Sequence, residues 1–138
     1  MPVPFSGGCR CGNVRYECTA EPAMTVHCHC RDCQYATGSA FATVVAVPKE
    51  GFNMLKGEVK SFTVTATSGS SVSREFCTNC GSPLFSFVEI MPGMVFVKAG
   101  SLDDPNWLTP EMTLWTASAP PWAAHKNELP GIPGNPEM

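Results

Sequence analysis

The chain has 138 residues, 43% hydrophobic and 15% charged, with a formal net charge of −3. That length suits one domain with its own core, and the balance excludes a disordered tail and lacks the strongly basic footprint of a nucleic-acid binder. No apolar run approaches the ~18 residues of a membrane span. The opening MPVPFSGG has neither the basic nor the apolar region of a signal peptide, so a cytoplasmic, reducing setting is expected for the 8 cysteines.

In chain order, the sequence reads as short strands punctuated by Gly, Pro and Ser. NVRYECT (13–19) alternates Val14, Tyr16 and Cys18 against Arg15 and Glu17. MTVHCHC (24–30) is a second strand candidate, and CRDCQYATG (30–38) a short helix closed by Gly38. FATVVAV (41–47) is β-branched and bounded by Gly38 and Pro48. SFTVTAT (61–67) alternates, and SVSREF (71–76) runs into CTNC. PLFSFVEI (83–90) and MVFVKAG (94–100) flank MPG, a hairpin connection. DDPNW (103–107) reads as a capped turn and MTLWTAS (112–118) as the last strand. The expected fold class is mainly β, with antiparallel sheets and little helix. Residues 1–126 are expected to form the domain, and 127–138 a Pro/Gly-rich tail without regular structure.

The cysteines fall in groups: Cys9 and Cys11, a lone Cys18, Cys28 with Cys30 and Cys33, and Cys77 with Cys80. A C-x-C or C-x-x-C pair offers two thiolates to one tetrahedral ion, whereas bridging C-x-C covalently strains the geometry. Cys9, Cys11, Cys77 and Cys80 make two pairs, enough for a closed structural zinc site. Separate disulfides, or a rubredoxin-like iron site, are the other readings of the same pairs. Cys28, Cys30 and Cys33 are left with no fourth cysteine, which fits a zinc with one position kept for water or substrate. If the segment is extended, His27 and His29 point away from Cys28 and Cys30. A three-cysteine, one-histidine site using His27, His29 or His125 is the alternative. Cys18, on an apolar strand face, reads as a buried inert thiol.

GGCRCGNVRYEC, HCHCRDCQYATGSAF, FCTNCGSPLF and GSLDDP, in that order, resemble the glutathione-dependent formaldehyde-activating enzyme family, which shares its domain with centromere protein V. The resemblance spans about residues 6–122 and implies a β-tent zinc fold. It implies a structural zinc on Cys9, Cys11, Cys77 and Cys80, and a catalytic zinc on Cys28, Cys30 and Cys33, so two zinc ions per chain. It also implies a carbon–sulfur lyase (S-(hydroxymethyl)glutathione synthase-like) that condenses glutathione as co-substrate with formaldehyde. One departure is Thr113, where the family motif P-x-x-H-I-x carries histidine.

The resulting expectation is an enzyme acting on a glutathione-like thiol and a small aldehyde through a thiolate held on zinc, with no nucleic-acid or membrane partner and no oligomeric state specified. Cys28, Cys30 and Cys33, with His29, are the catalytic candidates. His27, Arg31 and Asp32 are further candidates to move a proton or orient the carbonyl oxygen. Arg10, Arg31, Lys49 and Lys98 are cations available to the carboxylates of glutathione, with solvated surface charge as the other reading. The rival from another class is a non-catalytic zinc-stabilised binding module.

Overall fold

A computed structural model describes residues 3–124 and 129–135. His125 lies outside the described residues. Among the described residues ten strands form two sheets. β1 (Phe5–Gly8), β2 (Arg15–Cys18) and β5 (Phe52–Lys56) make an antiparallel three-stranded sheet in the order β1-β2-β5. The second sheet has seven strands: β3 (Met24–Cys28), β4 (Ala42–Pro48), β6 (Val59–Thr65), β7 (Ser71–Cys77), β8 (Pro83–Val88), β9 (Met94–Lys98) and β10 (Met112–Leu114). Its order is β10-β3-β4-β9-β8-β7-β6, and α1 (Arg31–Thr37) is the single α-helix among the described residues. Two sheets closing on one core make this a mainly β fold of the β-tent type. Among the described residues no helix is long and apolar enough to cross a membrane.

Strand alternation sorts the seven-stranded sheet into two faces. Val45, Val47, Phe85, Val95 and Val97 join Phe5, Tyr16 and Cys18 of the small sheet in the larger core. Tyr16, Phe52 and Phe85 pack there with ring centroids 4.9–5.7 Å apart. The Tyr16 hydroxyl, taken out of water, meets Ser101 Oγ at 2.7 Å, which offsets the cost of burying it. Val26, Cys33, Ala42 and Val44 form a smaller cluster elsewhere, with Phe96 and Met24 against it. Pairing Cys28 with Ala42, Val44 with Lys98 and Phe76 with Pro83 aligns one end of the sheet. Both cysteine groups lie there.

Most strands follow the alternation read from sequence, and the Val88–Met94 connection is the hairpin expected at MPG. The expected turn at DDPNW is present, with Asp104 Oδ1 accepting from the Asn106 N–H. Three elements differ. β5 is an edge strand with four of its five residues exposed, so it carries no alternation. β10 stops after three residues, where Trp115 enters left-handed backbone at φ 57°, and it pairs parallel to β3 rather than antiparallel. β1 (FSGG) hides behind its glycines, yet Gly7 is there for contact: an added Cβ would meet the Ser101 carbonyl oxygen and the Tyr16 hydroxyl. Gly7→Ala is therefore expected to cost about 1–3 kcal/mol by overpacking. A urea midpoint unchanged from wild type would contradict that.

Candidate metal centres

The first centre joins the β1–β2 connection to the β7–β8 turn. The Sγ atoms of Cys9, Cys11, Cys77 and Cys80 all lie within 4.8 Å of one another. Cys9 and Cys11 sulfurs are 3.5 Å apart, and Cys11 and Cys77 sulfurs 3.8 Å. A disulfide requires about 2.05 Å, and all eight cysteines are free thiols. Four sulfurs at the tetrahedral Zn–S distance of about 2.3 Å would sit about 3.8 Å apart, so the donor set fits zinc.

The backbone is already arranged for charge on these sulfurs. Val14 N–H donates to Cys9 Sγ at 3.2 Å; Asn79 and Cys80 N–H donate to Cys77 Sγ at 3.3 and 3.4 Å. Gly81, at φ 77°, turns the chain so that its own N–H returns to the Cys77 carbonyl. Ser82 Oγ lies 3.2 Å from Cys80 Sγ and accepts from the Arg10 N–H. The Ser82 hydroxyl and nearby backbone N–H groups hold the Cys80 thiol down at about 5.

The second centre is local. Cys28 ends β3, Cys30 caps α1, and Cys33 lies in the first turn of α1, with all three sulfurs within 4.8 Å of one another. The Cys33 N–H donates to Cys30 Sγ at 3.3 Å, which both caps the helix and fixes two of the sulfurs. Gln34 Nε2 donates to the His29 and Ser118 carbonyls, tying α1 to the end of β3 and to the segment after β10. The Cys28 thiol holds Cys33 down at about 5 and is itself pushed up in return; Cys30, Lys98 and Arg74 add to the effect on Cys33. Three sulfurs with these donors also fit zinc, and no fourth ligand joins them among the described residues.

Neither described histidine joins that sulfur group. His29 is buried, with Nδ1 3.0 Å from the Ala40 carbonyl oxygen; His27 Nδ1 is 2.7 Å from Thr43 Oγ1. Both rings pack on Phe41. Thr113 sits beside His27 in the parallel register. Arg31 is exposed, bonded to Gln34 Oε1 and stacked over Tyr35. Lys49 lines a separate surface pocket. Arg10 and Lys98 instead line a cleft of about 630 Å³ that also touches Cys9 and Ser82 at one centre and Thr37 and Phe41 near the other.

Two residues beside the second centre carry no signal in local spacing. Arg74 Nη2 is 3.9 Å from Cys33 Sγ although 41 positions separate them. Gln34 reads in sequence as one more polar helix residue, but it is buried and doubly bonded.

Residues 4–118 match the sequence model of the glutathione-dependent formaldehyde-activating enzyme family. In three dimensions the chain is similar to the crystal structure of a Rhodobacter sphaeroides protein, with a TM-score of 0.62 at 19% identity over 79% of this chain and 99% of that one. That likeness concerns the fold.

Proposed function

The chain belongs to the glutathione-dependent formaldehyde-activating enzyme family, and we propose that it joins a glutathione-like thiol to a small aldehyde such as formaldehyde, as a carbon–sulfur lyase working in the synthetic direction. The observation that carries this reading is the second centre: three converging sulfurs and no fourth protein ligand among the described residues. Zinc, when bound there, supplies a cation that keeps an incoming thiol deprotonated near neutral pH.

The work of the chain is to hold and orient. Cys28, Cys30 and Cys33 would hold the ion and leave a place on it for the substrate sulfur. The new bond runs from that sulfur to the aldehyde carbon, and the carbonyl oxygen takes up a proton to become the hydroxyl of the adduct. His29, with Nδ1 engaged by Ala40, supports the loop that carries Phe41; the proton comes from solvent. Arg10, which lines the cleft, is the cation assigned to substrate carboxylates. Arg31, turned outward on α1, serves the helix surface.

Metal stoichiometry tests this directly. Two zinc ions per chain are expected, one released by mild chelation with the circular dichroism unchanged and one only on unfolding. Glutathione should alter the ligand set of the labile ion alone. A single ion that leaves only with the fold would favour the non-catalytic zinc module instead.

A further inference from the structure

The seven-stranded sheet gathers two cations at the three-cysteine centre. Register sets Arg74, Ser86 and Phe96 side by side across β7, β8 and β9, and alternation puts Lys98 on the same face. β4 and β3 continue that face through Val44, Ala42 and Cys28. Lys98 is only 8% exposed, and Arg74 Nη2 approaches Cys33 Sγ to 3.9 Å. Arg74 Nε and Ser86 Oγ are buried with no hydrogen-bond partner among the described residues.

Among the described residues no carboxylate forms an ion pair with either cation. The ion pair found among the described residues is Arg15–Asp103, and Asp32, in the first turn of α1, pairs with neither cation. A lysine this buried normally has a counter-charge. Three thiolates around a divalent zinc carry one net negative charge; Lys98 and Arg74 bring two positive ones. The centre stays one positive charge in excess until an anion joins it.

We propose that Lys98 and Arg74 are positioning residues that make the three-cysteine centre select an anionic ligand, a thiolate over a neutral donor, at its remaining position. This rests on the reading of that centre as an open zinc site. The incoming thiol gives its proton to solvent and binds as the anion the two cations favour, and Lys98 shares the sheet face on which Cys28 lies.

The test uses the metal-loaded protein with cobalt(II) in place of zinc, titrated with 2-mercaptoethanol, azide and imidazole and followed by visible absorption. Mercaptoethanol lacks a carboxylate, so sulfur is its only anion. Lys98→Met and Arg74→Met, each shown to be folded with both metals, are expected to weaken thiol and azide by about tenfold or more and imidazole by less than about twofold. Lys98→Arg should restore anion binding. Thiol and azide affinities within twofold of wild type in both variants would overturn the proposal, as would equal loss of imidazole or a wild-type centre that binds none of the three. If Lys98→Met does not fold, half-buried Arg74 decides alone. Azide binding that depends on the cations, with no thiol binding, would uphold this inference and remove the thiol reading instead.

Discussion

Cys77→Ser is expected to unfold the domain. Cys77 is buried at the end of β7 and accepts two backbone N–H groups. With Cys80 it faces Cys9 and Cys11, which follow β1, so the four sulfurs hold the small sheet to the large one across 66 positions of chain. A structural zinc site of this kind contributes an apparent ~10–16 kcal/mol, against a whole-domain stability of roughly 5–15 kcal/mol. A neutral serine hydroxyl is a poor replacement for thiolate as a zinc ligand. Loss of the cooperative thermal transition and of tightly held zinc should appear together. Cys18→Ala provides the comparison: Cys18 is buried with its thiol pushed up to about 12 by desolvation, outside both sulfur groups. It should cost about 1 kcal/mol and leave the zinc content alone. A Cys77→Ser protein that melts like Cys18→Ala would remove the structural role assigned to the first centre.

The parts of the fold legible in sequence are those whose signal is local. β4, β8 and β9 are β-branched or aromatic and bounded by turn residues, so burial and propensity agree. α1 has a cysteine cap that accepts from Cys33 and a left-handed Gly38 at its end. β1, β5 and β10 lack that agreement. Gly7 is selected by what the chain brings against it, Tyr16 from the paired strand and Ser101 from far along the sequence. β5 is half of an edge pairing whose register belongs to β2. β10 ends at Trp115 because the backbone turns left-handed there, an arrangement aromatic residues seldom signal.

The same division runs through the candidate site. Short cysteine spacings announce sulfur pairs, because two residues apart on one strand or three apart across a helix cap already converge. Side is legible too: alternation along 27–30 separates the histidines from Cys28 and Cys30. Distance across the sheet is not. Arg74 reaches Cys33 only through the register of β7, β8 and β9, and that register is set by the core between the sheets. Ser82 reaches Cys80 locally but Arg10 only after the first centre has closed. The sulfurs are thus written in the sequence, and their electrostatic surroundings are written in the topology.

Cys30→Ser, the same chemical change in the other centre, is expected to give the opposite result. Serine is among the best helix caps, and its hydroxyl can accept from the Cys33 N–H as the Cys30 sulfur does, so α1 should persist. Gln34 still anchors the helix to the His29 and Ser118 carbonyls. The larger core contains none of Cys28, Cys30 or Cys33, so thermal stability should fall by no more than about 1 kcal/mol. The labile zinc, reduced to two thiolates, should be lost to mild chelators, and thiol-dependent consumption of formaldehyde should drop by at least about 100-fold. Nuclear magnetic resonance of the formaldehyde adduct would read that loss directly. If Cys30→Ser instead unfolds with the sharpness expected of Cys77→Ser, the second centre is a structural staple. If it stays folded and fully active, the chemistry lies elsewhere on the chain. Only a folded, metal-poor and inactive variant is consistent with three cysteines that hold a substrate position open.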